Sequence, residues 1–107
     1  KLLAWIDEEL ALYAIIQLEN TRVVTKHMSE INFRSSAKQG DIVEIGIDVV
    51  KFGHTSIVLK CAVRNMMTRE IIITIDTSTM VNLGEDGKPK AHGKSEIEFV
   101  KNRLQSN

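Results

Sequence analysis

The chain has 107 residues, enough for one compact domain and too few for two, and its 43% hydrophobic and 26% charged content is ordinary for a globular protein. Lys and Arg together number 14, as do Asp and Glu, so the formal net charge of zero offers no general attraction to nucleic acid or to an anionic membrane. The single cysteine, Cys61, excludes an internal disulfide and fits a reducing, cytoplasmic compartment.

No apolar run reaches the roughly 18 residues of a membrane span, and no basic segment precedes a signal-like core. The chain opens at Lys1, already in helix-like sequence. Residues 2–18, LLAWIDEELALYAIIQL, contain no Gly, no Pro and few β-branched residues, and they predict a long helix. Its apolar residues run nearly all the way round: Leu2, Leu3, Trp5, Ile6, Leu10, Leu12, Tyr13, Ile15, Ile16 and Leu18. Such a helix is expected to be covered on all sides, and one sheet face cannot supply that, so a second subunit is expected. Asp7, Glu8 and Glu9 interrupt the pattern. Asp7 has Leu3, Ala4, Leu10 and Ala11 as its helical neighbours, so it must be paired, reach water or be functional. Acids near a helix N-terminus are also favoured by the macrodipole, and Glu8 and Glu9 read as solvated there; spacing by itself does not choose among the three acids.

Asn20 follows as a C-cap candidate. Residues 22–33, RVVTKHMSEINF, read as one strand, and 34–40 as a polar loop. Residues 41–52 alternate, with Val43, Ile45, Ile47 and Val49 on one face. After a tight connection at Gly53-His54, residues 55–65 alternate again, with Ile57, Leu59, Cys61 and Val63 inward. Residues 70–83 form a third alternating run, placing Ile71, Ile73, Ile75, Thr77, Thr79 and Val81 on one face. A turn cluster follows at 84–89. Residues 95–104 read as a short helix with Ser95 as N-cap and Glu98 at the capping-box position. A buried helix followed by four long strands with short connections predicts an α+β fold, a curved antiparallel sheet around a central helix.

The familiar chemical motifs are missing. His27, His54 and His92 stand apart and no Cys/His cluster has zinc spacing. There is no GxGxxG, no P-loop and no GxSxG elbow. Cys61, on an inward face, reads as structural rather than nucleophilic. The few aromatics do not interleave with basic residues, which argues against a stacking surface for nucleic acid.

The segments KLLAWID, VVTKHMSEINFRSSAKQGDIVEI, VVKFGHTSI and GEDGKPKAHG, in that order over nearly the whole chain, resemble the hotdog-fold acyl-CoA thioesterases. The resemblance implies a hotdog fold over residues 1–107. It implies pairing of two subunits edge to edge into a homodimer, with further assembly into hexamers, and hydrolysis of fatty acyl-CoA to free acid and CoA. The family pattern GG-x-LL-x-x-x-D aligns its catalytic acid with Asp7, and its glycine pair and preceding strand would come before Lys1. The resemblance also sets Asn32, Phe33 and Arg34 at the pantetheine entrance, and Gly53, His54, Thr55 and Ser56 where a partner subunit approaches CoA. Read from the residues alone, Gly53 is equally a turn glycine, Thr55 and Ser56 a strand start, and Arg34 a solvated loop cation. A thioester carbonyl is electrophilic and a thiolate leaves readily, so a carboxylate suffices as general base or nucleophile, and neither metal nor cofactor is expected. A non-catalytic acyl-CoA binding module is the alternative. A hotdog dehydratase is disfavoured because no His lies in the helix.

Overall fold

The computed structural model describes residues 2–97 and 101–102. Helix α1 (Leu2–Leu18) buries Ile6, Leu10, Tyr13, Ala14, Gln17 and Leu18. Their spacing of three and four residues draws one stripe along the helix. The opposite side is not covered by the chain's own sheet: Leu3 is 43% exposed, Leu12 47% and Ile16 42%. A single sheet can reach only one side of the helix, so within one chain α1 is buried along one face. Glu19, with φ of 55°, takes the left-handed position that ends the helix, not Asn20. The Asn20 side chain instead donates to Asn82 Oδ1 at 2.7 Å and to the Leu83 carbonyl at 2.9 Å, tying the helix end to the sheet.

The strands are β1 (Val23–Met28), β2 (Ile31–Phe33), β3 (Val43–Phe52), β4 (Ser56–Asn65), β5 (Ile71–Asn82) and β6 (Lys101–Asn102). They form one sheet in the order β1-β5-β4-β3-β6, with β2 also on β5, and every pairing is antiparallel. Residues 34–42 carry the chain from β2, beside β5, to β3 on the far side of β4. The strand expected over 22–33 breaks at Ser29-Glu30. There the Ser29 hydroxyl, not a main-chain carbonyl, accepts the Thr77 N–H at 3.0 Å, and the ladder is interrupted.

The core joins the buried helix stripe to Ile45 and Ile47 of β3, to Ile57, Leu59, Cys61 and Val63 of β4, and to Ile72, Ile73, Ile75 and Met80 of β5. The alternation expected for β3 and β4 is thus observed. For β5 it changes phase. Leu59 pairs with Ser78 but Cys61 with Ile75, so two β5 residues stand opposite Lys60. An extra residue in one strand turns every later side chain to the other face. Ile73 and Ile75 enter the core before this bulge, and Met80 enters after it with Ser78 buried in the same phase. Thr77, Thr79 and Val81 therefore do not share the face of Ile73 and Ile75.

The helix expected at 95–104 is also corrected. Residues 95–97 are not helical, and Lys101 and Asn102 form a strand paired with Ile47 and Gly46. Glu98, its capping-box residue, lies outside the described residues. Among the described residues, no helix is long and apolar enough to cross a membrane.

Candidate active site

Asp7 sits in the second turn of α1 and is exposed in the single chain, as is Glu8; Glu9 is half-buried. Asp7 flanks the buried stripe rather than lying in it, because Ile6 and Leu10 take the inward positions on either side. Its carboxylate therefore reaches water while its neighbours are apolar. At the same end of the helix, a cleft of about 610 Å³ is lined by Leu2, Phe33, Arg34, Ser35, Ile72 and Ile73 together with Ser36 and Ala37. The backbone of its rim is held firmly. The Arg34 N–H donates to the Ile72 carbonyl at 2.7 Å, and the Ser35 hydroxyl to the Ile71 carbonyl at 2.8 Å. Phe33 is 68% exposed and the Arg34 side chain is also exposed, so both are free to meet a ligand at the cleft, while Asn32 is half-buried on β2.

Gly53, His54, Thr55 and Ser56 form the connection from β3 to β4. The Gly53 N–H donates to the Ser56 carbonyl at 2.8 Å, and the Asn82 N–H to the Thr55 carbonyl at 2.8 Å. A Cβ on Gly53 would meet the Ser56 hydroxyl, which would have to turn aside, so glycine serves the close approach here. This connection lies beside Asn82, and Asn82 holds the C-terminal end of α1 through Asn20. Asp7 is eleven residues before that helix end, roughly 16 Å at 1.5 Å per residue. Within one chain, then, Phe33 and Arg34 lie by Leu2 at the start of α1, Asp7 sits in its second turn, and Gly53–Ser56 lie near its C-terminal end.

One residue here carried no role in the sequence reading. His92 leans on the Gly53–Ser56 connection, with Nε2 2.8 Å from the Ser56 carbonyl and its ring edge-on to Phe52. Only its place after the 84–89 turn cluster hinted at this; the contact spans 36 residues of sequence.

Four further ionisable groups, Glu44, Arg64, Cys61 and Tyr13, read as structural. Glu44 and Arg64 face each other across β3 and β4 and pair at 2.5 Å with both side chains about one-tenth exposed. Burial pushes the Cys61 thiol up to about 11, which keeps it protonated and poorly nucleophilic at neutral pH. The Tyr13 phenol is raised by burial and by the charge of Asp48, and a hydrogen bond with Gln17 opposes the shift. Among the described residues, no group of three or more His, Cys, Asp or Glu is placed to hold a metal ion.

This helix-on-sheet architecture is the hotdog fold. A family model described as the thioesterase superfamily matches residues 1–72, and the chain belongs to that family. Among solved structures, a hexameric thioesterase from Yersinia pestis is 27% identical with a TM-score of 0.76, over 84% of this chain and 74% of that one. An apo-hexameric acyl-CoA thioesterase is 36% identical with a TM-score of 0.67, over 84% of this chain and 59% of that one. An acyl-CoA hydrolase from Staphylococcus aureus, solved with butyryl coenzyme A, coenzyme A and coenzyme A disulfide, is 28% identical with a TM-score of 0.67, over 84% of this chain and 56% of that one. That hydrolase was also solved with one aspartate replaced by alanine. The chain thus spans between about half and three-quarters of the length of these relatives. No curated protein sequence matches it.

Proposed function

We propose that this chain is an acyl-CoA thioesterase that hydrolyses fatty acyl-CoA to the free acid and CoA, with Asp7 as its catalytic carboxylate. The observation that carries the reading is a water-accessible acid on the central helix of a thioesterase-superfamily chain, a helix whose first residue, Leu2, lines a cleft rimmed by Phe33 and Arg34. Asp7 takes a proton from water as the resulting hydroxide attacks the carbonyl carbon. The tetrahedral intermediate then collapses, the C–S bond breaks, and CoA leaves as a thiolate that takes up the proton. Direct attack by Asp7 gives the alternative course, a mixed anhydride that water then opens. Neither route needs a metal. Asn32, Phe33 and Arg34 form the pantetheine entrance, where the planar guanidinium of Arg34 suits a phosphate.

The separation of Asp7 from Gly53–Ser56 within one chain supports a site shared by two subunits. In a homodimer paired edge to edge, one subunit supplies Asp7 and its partner supplies Gly53, His54, Thr55 and Ser56. The crystallised relatives described as hexameric support further assembly of such dimers. The test is release of free thiol from a series of acyl-CoA chain lengths, followed with a chromogenic thiol reagent, with and without a chelator. Turnover that survives the chelator is expected. Activity abolished by the chelator and restored by metal would overturn the metal-free mechanism, and CoA binding without turnover would favour a binding module.

A further inference from the structure

The His92-Gly93-Lys94 segment makes a set of contacts that the chemical steps do not use. His92 Nδ1 accepts the Lys94 N–H at 2.9 Å. A backbone N–H can only donate, so Nδ1 carries no proton and the neutral ring holds its proton on Nε2. Nε2 therefore donates to the Ser56 carbonyl, 2.8 Å away, which also accepts the Gly53 N–H at 2.8 Å. One carbonyl with two lone pairs is thus gripped from both sides. The His92 N–H reaches the His54 carbonyl at 3.3 Å, and the ring packs edge-on to Phe52, its centroid 6.1 Å away. Gly93, with φ of 70°, turns the chain back so that the Lys94 N–H can meet the ring. Lys94 Nζ then pairs with Glu19 at 2.9 Å, which anchors the segment to the end of α1.

We propose that His92 is a positioning residue that locks the Gly53–Ser56 connection in the shape that meets the pantetheine arm of an acyl-CoA. What the connection touches rests on the thioesterase reading above; the lock itself does not. A loose connection would bind substrate less well but leave the carboxylate of the other subunit unchanged. The signature is a rise in KM with kcat preserved.

Two variants of the full chain separate this role from a purely local one. In His92→Gln the terminal amide lies near the position of Nε2 and still donates to the Ser56 carbonyl. In His92→Asn the shorter side chain accepts the Lys94 N–H, as an Asx turn does, but falls short of Ser56. His92→Asn should raise KM for acyl-CoA about five- to tenfold with kcat within about twofold, the scale of one lost hydrogen bond. His92→Gln should keep KM within about twofold. If His92 only shapes its own segment, the order reverses; that result, or an unchanged KM in both variants, overturns the proposal. Hydrogen exchange at the Gly53 amide gives a second readout that needs no turnover. His92→Asn should speed it about tenfold and His92→Gln should not. Equal exchange in all three proteins overturns the lock. Gly53→Trp serves as the control on the reading beneath it. Turnover undiminished in Gly53→Trp would remove the connection from the CoA entrance, while the exchange rates would still decide what His92 does.

Discussion

Asp7→Asn exchanges a carboxylate for an amide of nearly the same shape, so it separates chemistry from packing. It should lower turnover about a hundredfold or more, the usual scale for loss of an acid–base group, with the unfolding transition preserved. Glu8→Gln and Glu9→Gln should matter much less. Full turnover in Asp7→Asn, measured by thiol release, would remove Asp7 from the mechanism. Cys61 gives a test of a different kind. Its thiol is raised from 9.0 to about 11, so the folded state holds the proton more tightly than the unfolded chain does. Any contribution from this group is fully present below the unfolded value and is lost as pH rises through the folded one. Stability should therefore fall between about pH 9 and about pH 11. Tyr13, also raised, acts in the same direction at higher pH. Denaturant unfolding of wild type and Cys61→Ala, at about pH 8 and about pH 10.5, checks the sign: the alkaline loss should be smaller in the variant.

At the scale of elements, α1 is held by one stripe. Leu10, fully buried at the middle of that stripe, packs with the inward residues of β3, β4 and β5. Leu10→Ala should cost about 2–5 kcal/mol in denaturant unfolding, the range for a buried leucine that leaves a cavity. A loss well under 1 kcal/mol would mean that the helix shifts to fill the gap. In β5 the bulge opposite Lys60 divides the strand into two halves of opposite phase. The first half seats the core beside the cleft with Ile72 and Ile73, and the second carries Met80 into the core and Asn82 to the end of α1. One strand thereby supports both groups of candidate residues.

For the whole molecule, the uncovered side of α1 and the open strand edges argue against a lone chain. Light scattering at micromolar concentration should give a dimer or a multiple of it, and a monodisperse monomer would contradict the shared site. Complementation tests the sharing directly. Asp7→Asn and Gly53→Trp proteins, each inactive, would be unfolded together and refolded. Random pairing makes about half the dimers mixed, and each mixed dimer assembles one intact site of two, so about a quarter of wild-type activity should return. Confirmed mixed dimers without recovery would put both elements in the site of one subunit.

Periodicity along the chain was enough to determine α1 over Leu2–Leu18 and the inward faces of β3 and β4. A helix satisfies its hydrogen bonds within itself, and an alternating strand declares its buried face every second residue, so both leave a local trace. Periodicity marked the acids at 7–9 as charges out of place among apolar neighbours, and only the family resemblance singled out Asp7. Only the tertiary structure decided the rest. The central place of β5, its change of phase after Ile75, the break at Ser29 and the strand at Lys101–Asn102 all depend on partners distant in sequence. So does the grip of His92 on Ser56. The placing of Asp7 and Gly53–Ser56 at opposite ends of α1 depends on which strand ends close around the helix, and pairing across the sheet, with no periodic signature of its own, sets that arrangement.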